Sequence, residues 1–129
     1  MTAPQLSGVV QVAQHADDLD RATEFYTQTL GLPLMARFGP LVFVDLGGTR
    51  LLLEQAAPAA MIYLRVADLQ ERVSQLRDAG VDVVAEPHVI FTDTEGVFGP
   101  AGRAEWQAFV RDSEGNLLGL VAHQDAAGS

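Results

Sequence analysis

The chain contains no cysteine in its 129 residues, which excludes a disulfide framework, a thiolate metal site and a catalytic thiol. Basic residues are scarce. Eight Lys and Arg stand against seventeen Asp and Glu, a formal charge of −9. Nucleic acid is bound through clustered cations on phosphate, and the few here are scattered, so nucleic acid is not expected as a partner. The negative balance reads as solubility, with an acidic pocket for a cationic ligand as the other reading. No apolar run approaches the about 20 residues that span a bilayer; among the longest is Leu117 to Ala122. No basic and apolar N-terminal segment resembles a signal peptide, so a cytoplasmic location is expected and no membrane partner. With 48% hydrophobic residues and mean hydropathy of +0.13, residues 1–129 fit one globular domain.

What is present is a repeat. Val12-Ala13-Gln14-His15-Ala16-Asp17-Asp18-Leu19 is echoed by Ile62-Tyr63-Leu64-Arg65-Val66-Ala67-Asp68-Leu69. Each copy is a strand-like run, an Asp-Leu pair and an amphipathic helix that stops at a glycine, Gly31 or Gly80. In module one, about 7–55, the pattern predicts a strand over 9–14, a helix capped by Asp18, and strands over 34–38, 41–46 and 50–55. Gly39-Pro40 and Gly47-Gly48 supply the turns. Module two, about 61–123, predicts a strand over 62–66 and a helix opened by an Asp68/Glu71 capping box. Strands follow near 81–86 (extending toward 90), 105–111 and 117–122. The fold class is α+β, two βαβββ modules with a binding site expected between them. Phe91 to Arg103 breaks the symmetry, as a surface excursion or a lid.

Three motifs carry a resemblance: Asp18-Leu19-Asp20-Arg21-Ala22 with Phe25-Tyr26 and Leu30-Gly31-Leu32, Asp45-Leu46-Gly47-Gly48-Thr49-Arg50-Leu51, and Arg111-Asp112-Ser113-Glu114-Gly115-Asn116-Leu117. In this order on a duplicated unit, from about Ser7 to His123, they resemble the vicinal oxygen chelate superfamily. That group includes glyoxalase I, extradiol dioxygenases, fosfomycin-resistance enzymes and bleomycin-binding proteins. The resemblance implies a curled, cup-like mixed sheet with helices outside, a homodimer, and a divalent metal held by His, Glu or Gln from the first and last strands of the modules.

The positions at which the resemblance places those ligands are occupied by Gln11, Met61, Gly119 and Leu52, or Glu54 with a two-residue shift. A glutamine amide oxygen can ligate. Methionine suits hard or borderline divalent ions poorly, and glycine has no side chain to offer. A stable site needs three or four good protein ligands, so no cofactor is expected. Of the three histidines, His15 is expected in solvent and His123 in a fraying tail. His88, after Pro87 and before the asymmetric loop, is the candidate for acid–base catalysis. Strand alternation turns Gln11, Met61 and Tyr63 into the cup. With Trp106, Phe91 and Phe98 they form the expected ligand-binding set, suited to a flat organic molecule. Phe43 and Phe109 are expected in the core.

Two readings follow. One is a metal-independent protein that binds a small organic molecule in the inter-module cavity, for sequestration or for cofactor-free acid–base chemistry. The other is a metal-dependent lyase, isomerase or dioxygenase with Gln11, Glu54 and His88 as non-standard ligands. Whether the chain is an enzyme is left open between them.

Overall fold

Alternating apolar residues on short strands, several of them joined by glycine turns, build two mixed sheets in a computed structural model. It describes residues 6–126, so both ends of the expected 1–129 domain lie outside the described residues. The chain divides into two compact units, before and after the Ala59–Ala60 junction.

In the first unit, β1 (Gln11–His15) leads into α1 (Leu19–Glu24), and a π-helical turn continues over Phe25–Thr29. β2 (Leu34–Phe38), β3 (Leu41–Asp45) and β4 (Arg50–Glu54) complete it. The sheet order is β1-β4-β3-β2, with β1 parallel to β4 and the remaining pairs antiparallel. Asp18 caps α1 as expected, its carboxylate accepting from the Arg21 N–H at 3.0 Å. The helix widens at Phe25, where the Leu30 N–H bonds back to the Phe25 carbonyl. Gly31, with φ of +77°, then turns the chain out, a conformation that glycine adopts without strain. Val42, Val44, Leu51 and Leu53 are fully buried together with Ala22 and Tyr26 from the helical segment.

The second unit repeats the order: β5 (Ile62–Arg65), α2 (Leu69–Asp78), β6 (Val83–Asp93), β7 (Arg103–Arg111) and β8 (Leu117–Gln124), arranged β5-β8-β7-β6. α2 packs on β6, β7 and β8. Ala104, Ala108, Val110, Leu118, Leu120 and Ala122 are buried with Leu69, Val73 and Leu76 of the helix. Alternation therefore sends the odd-numbered residues of β5, β7 and β8 to the opposite, open face.

Three local expectations need correction. Asp68 makes no side-chain capping hydrogen bond, and its backbone sits in the left-handed region at φ +52° rather than in the extended conformation usual for an N-cap. The Leu69 N–H instead donates to Oε1 of Gln124 at 2.9 Å, so the last strand caps the second helix. β6 and β7 extend as far as Asp93 and from Arg103, which shortens the asymmetric loop to residues 94–102. β8 runs to Gln124, so His123 belongs to a paired strand, opposite Glu105, and not to a tail. No helix among the described residues is long and apolar enough to cross a membrane.

Candidate functional site

The open face of the second unit is a small grid set by strand register. Neighbouring strands lie about 4.8 Å apart and same-face residues about 6.6 Å apart along a strand. One row reads Tyr63, Gly119, Phe109; the next Arg65, Val121, Gln107, His88; the third His123, Glu105, Phe91. His88 and Phe91 share this face despite their odd spacing because β6 is bulged between Val89 and Phe91.

The first row is aromatic. The Tyr63 ring lies across Gly119 so closely that a Cβ at that glycine would stand 2.5 Å from Cδ2 of the ring. The same ring meets Phe109 edge to face, with centroids 6.1 Å apart and planes at 78°. Phe109, expected in the core, is half-buried on the open face. The position where the resemblance puts a last-strand metal ligand is therefore covered by the phenol ring of a first-strand residue.

The third row holds a hydrogen-bonded chain. Nε2 of His123 is 2.9 Å from Oε1 of Glu105, and the other carboxylate oxygen accepts from Nε2 of Gln107 at 2.8 Å. A carboxylate only accepts, so it orients the ring with Nε2 as the donor and leaves the Nδ1 lone pair free in the neutral imidazole. Nδ1 has no hydrogen-bond partner among the described residues. It faces Gly99, where a Cβ would lie 3.5 Å away. Both side chains are largely buried, 27% exposed for His123 and 15% for Glu105.

The loop over this row is ordered by one carboxylate. Asp93 accepts from the Val97 N–H at 2.8 Å and the Phe98 N–H at 2.9 Å, while its carbonyl accepts from Gly102 at 2.8 Å. These amide bonds, that from Phe98 foremost, hold the Asp93 carboxyl below its ordinary pKa against the opposing effect of desolvation. Phe98 is thereby fixed against Phe91, ring centroids 5.7 Å apart. Tyr63, Arg65, Val121, Glu105, His123 and Phe98 line a groove of about 560 Å³. Arg65 is exposed there and forms no hydrogen bond or ion pair among the described residues.

The other expected site residues are placed as follows. His88 lies on the same open face but on the edge strand, exposed, its Nδ1 2.8 Å from the carbonyl of Glu86. Met61 stands just before β5 and is 43% exposed. Trp106 falls on the helix-bearing face with Ala104 and Ala108, its indole N–H donating to the Asp125 carbonyl at 3.1 Å. Alternation separates it from the groove. Gln11 and Glu54 belong to the first unit, on the face away from α1. Gln11 Oε1 accepts from Nε of Arg50 at 2.7 Å, and that guanidinium lies 5.4 Å from the Phe43 ring centre. Glu54 pairs with His15 at the other end of β1, four residues from Gln11. His15 is not a free solvent residue. Nε2 meets Asp17 at 2.8 Å and Nδ1 meets the carbonyls of Gln55 and Ala57. The Asp17 contact leads in raising its pKa above the ordinary value. Among the described residues no group of three His, Asp or Glu side chains is placed to hold a metal ion.

Sequence reasoning missed His123, Glu105, Gln107 and Arg65. The signal was available in the period of two. Counting 119, 121, 123 along β8 and 109, 107, 105 along β7 brings His123 and Glu105 to one face once both strands are allowed their full length.

Residues 8–120 match the sequence profile described as the Glyoxalase/Bleomycin resistance protein/Dioxygenase superfamily. No protein of curated function matches the chain in sequence. Among solved structures, an integron cassette protein from the mobile metagenome of V. cholerae is similar with a TM-score of 0.73 at 19% identity, over 94% of this chain and 98% of that one. Lactoylglutathione lyase from Agrobacterium tumefaciens gives 0.69 at 22% identity, over 92% and 96%. TioX from Micromonospora sp. ML1 gives 0.66 at 22% identity, over 91% and 99%. At these identities the likeness is one of fold.

Proposed function

Because this chain belongs to the glyoxalase/bleomycin resistance protein/dioxygenase superfamily, we propose that the open face of its second unit binds a small organic molecule without a metal ion at the superfamily's usual position. The observation that carries this reading is the Tyr63 ring on Gly119. A last-strand ligand there would need both a donor atom, which glycine lacks, and the space that the ring occupies. In the first unit, Gln11 offers its amide oxygen to the Arg50 guanidinium, and a cation at that oxygen opposes a second, divalent one. The residues present do not fit the metal.

They do fit an organic ligand. The groove combines the faces and edges of Tyr63 and Phe98 with a guanidinium unpaired among the described residues and a polar His123–Glu105 pair. Aromatic walls with a few placed polar groups are the usual composition of small-molecule sites. Such a groove serves either sequestration or acid–base chemistry. The partner in assembly is proposed to be a second copy, since the edge strands β2 and β6 leave Leu34, Met35, Phe38, Val84 and Ile90 exposed.

The test is elemental analysis of untagged protein purified without chelators, followed by titration with zinc, nickel and manganese. Substoichiometric metal is expected, together with NMR shifts at Tyr63 and Val121 on adding small aromatic compounds. Stoichiometric metal that is lost on Gln11→Ala, Glu54→Ala or His88→Ala refutes the reading in favour of a metal-dependent enzyme with those ligands.

A further inference from the structure

We infer that His123 is a general base for an aromatic carbon acid bearing a carboxylate, an assignment that rests on the groove being a binding site. Four observations converge on it. Glu105, itself held by Gln107, fixes the Nε2 side of the imidazole. Nδ1 is left with its lone pair and no partner among the described residues. Gly99 stands over that nitrogen with no side chain to cover it. Arg65, one strand and one row away on the same face, is a cation without a counter-ion among the described residues.

Register makes the separation of Arg65 and His123 about 8 Å between backbones. A 2-oxo acid whose carboxylate sits on the guanidinium therefore brings its methylene carbon, on the far side of the keto group from that carboxylate, within reach of the imidazole. Its ring is accommodated between Tyr63 and Phe98, the aromatic lining of the groove. In the step itself, the C–H bond breaks, its proton passes to Nδ1 and its electron pair stays on the substrate as an enolate. The new imidazolium is stabilised by Glu105, and the enolate by Arg65. Once the imidazolium has traded that proton for one from solvent, delivery to the same carbon gives exchange, and delivery to the keto oxygen gives the enol. Nothing is oxidised or reduced. Glu105 and Gln107 act through His123 and are positioning residues.

Phenylpyruvate serves as the probe, with deuterium incorporation at its methylene carbon followed by proton NMR in D2O and binding followed at Tyr63 and Val121. The wild-type protein is expected to exceed the buffer rate, and His123→Gln to lose about 100-fold of the enhancement, as removal of a general base does. Gly99→Ala, which brings a methyl group to 3.5 Å from Nδ1, is expected to slow exchange without lowering the melting temperature. Glu105→Gln is expected to move the midpoint of the pH–rate profile and lower kcat while KM holds. Binding without exchange overturns the inference and leaves the groove reading standing, whereas neither binding nor exchange overturns both. A His123→Gln protein that melts earlier but exchanges at the wild-type rate marks the pair as structural and overturns the inference. So does loss of exchange in His88→Gln but not in His123→Gln.

Discussion

Replacing Gly119 by alanine should destabilise the wild-type protein slightly and stabilise a protein that lacks Tyr63. The new Cβ would stand 2.5, 2.8 and 3.2 Å from three atoms of the Tyr63 ring, well inside the about 3.5–4.0 Å at which carbon atoms pack best. The ring has somewhere to go, since Tyr63 is 53% exposed. Swinging outward, it gives up its edge-to-face contact with Phe109, worth roughly 0.5–1.5 kcal/mol beyond burial. Against this, alanine at a glycine whose backbone it can adopt gains about 0.4–1 kcal/mol by restricting the unfolded chain. Gly119 is not among the positive-φ glycines, so that gain applies. The two nearly cancel, and Gly119→Ala alone should cost between about 0 and 1 kcal/mol.

In a Tyr63→Ala background the clash is absent and only the gain remains. Gly119→Ala should then stabilise by about 0.4–1 kcal/mol, so the two substitutions couple by roughly 1 kcal/mol. Urea denaturation of the four proteins of the cycle, with m held constant, measures this. Additivity within about 0.3 kcal/mol would refute the placement of the ring on Gly119, and the metal-free reading of the groove would lose its main support.

Further outcomes follow from the contacts of Asp93, His15 and Asp112. Asp93→Ala should leave the Val97 and Phe98 amides unprotected in hydrogen exchange while the β7 amides stay protected; equal protection in both proteins refutes the carboxylate anchor. Because the folded pKa of Asp93 is depressed, its contribution is present above the ordinary carboxylate value near 3.8 and is lost as pH falls through the folded value. Loop protection should therefore persist at pH 5 and fail only in stronger acid. The raised pKa of His15 has the opposite sign: its contribution is whole below the ordinary value of 6.5 and lost as pH rises through the folded value. His15→Gln should therefore flatten the fall in stability above that pH, and an unchanged profile counts against the Asp17 contact. Asp112→Ala removes the acceptor of the Glu114 and Asn116 N–H groups and of the Asn116 side chain in a buried turn, and should cost about 2–3 kcal/mol in urea denaturation. A loss below 1 kcal/mol would show that water replaces the carboxylate there.

Much of the fold was legible because it is local. The Asp-Leu helix starts, the glycine stops and the Gly39, Gly47-Gly48 and Asp112–Asn116 turns each depend on a few consecutive residues, and alternation along β5 put Ile62 and Leu64 on the side opposite Tyr63. What failed was strand length. Pairing partners decide where a strand ends, and no local signal announces that β8 continues past Ala122 or that β6 reaches Asp93. Those few residues changed His123 from an expected tail histidine into one held by a carboxylate. Trp106 is expected in the cavity as an aromatic near the start of a late strand, although its even number sets it with Ala104 and Ala108 against the helix.

The sequence by itself therefore determined the duplicated βαβββ plan and the family, because periodicity and turn chemistry are written residue by residue. It also identified Gly119 as a position with nothing to ligate. Only the tertiary structure decided what fills that position and what stands around it. The Tyr63 ring, the His123–Glu105–Gln107 chain and the Asp93-anchored loop each join segments tens of residues apart, and strand register brings them together only after the sheet has formed.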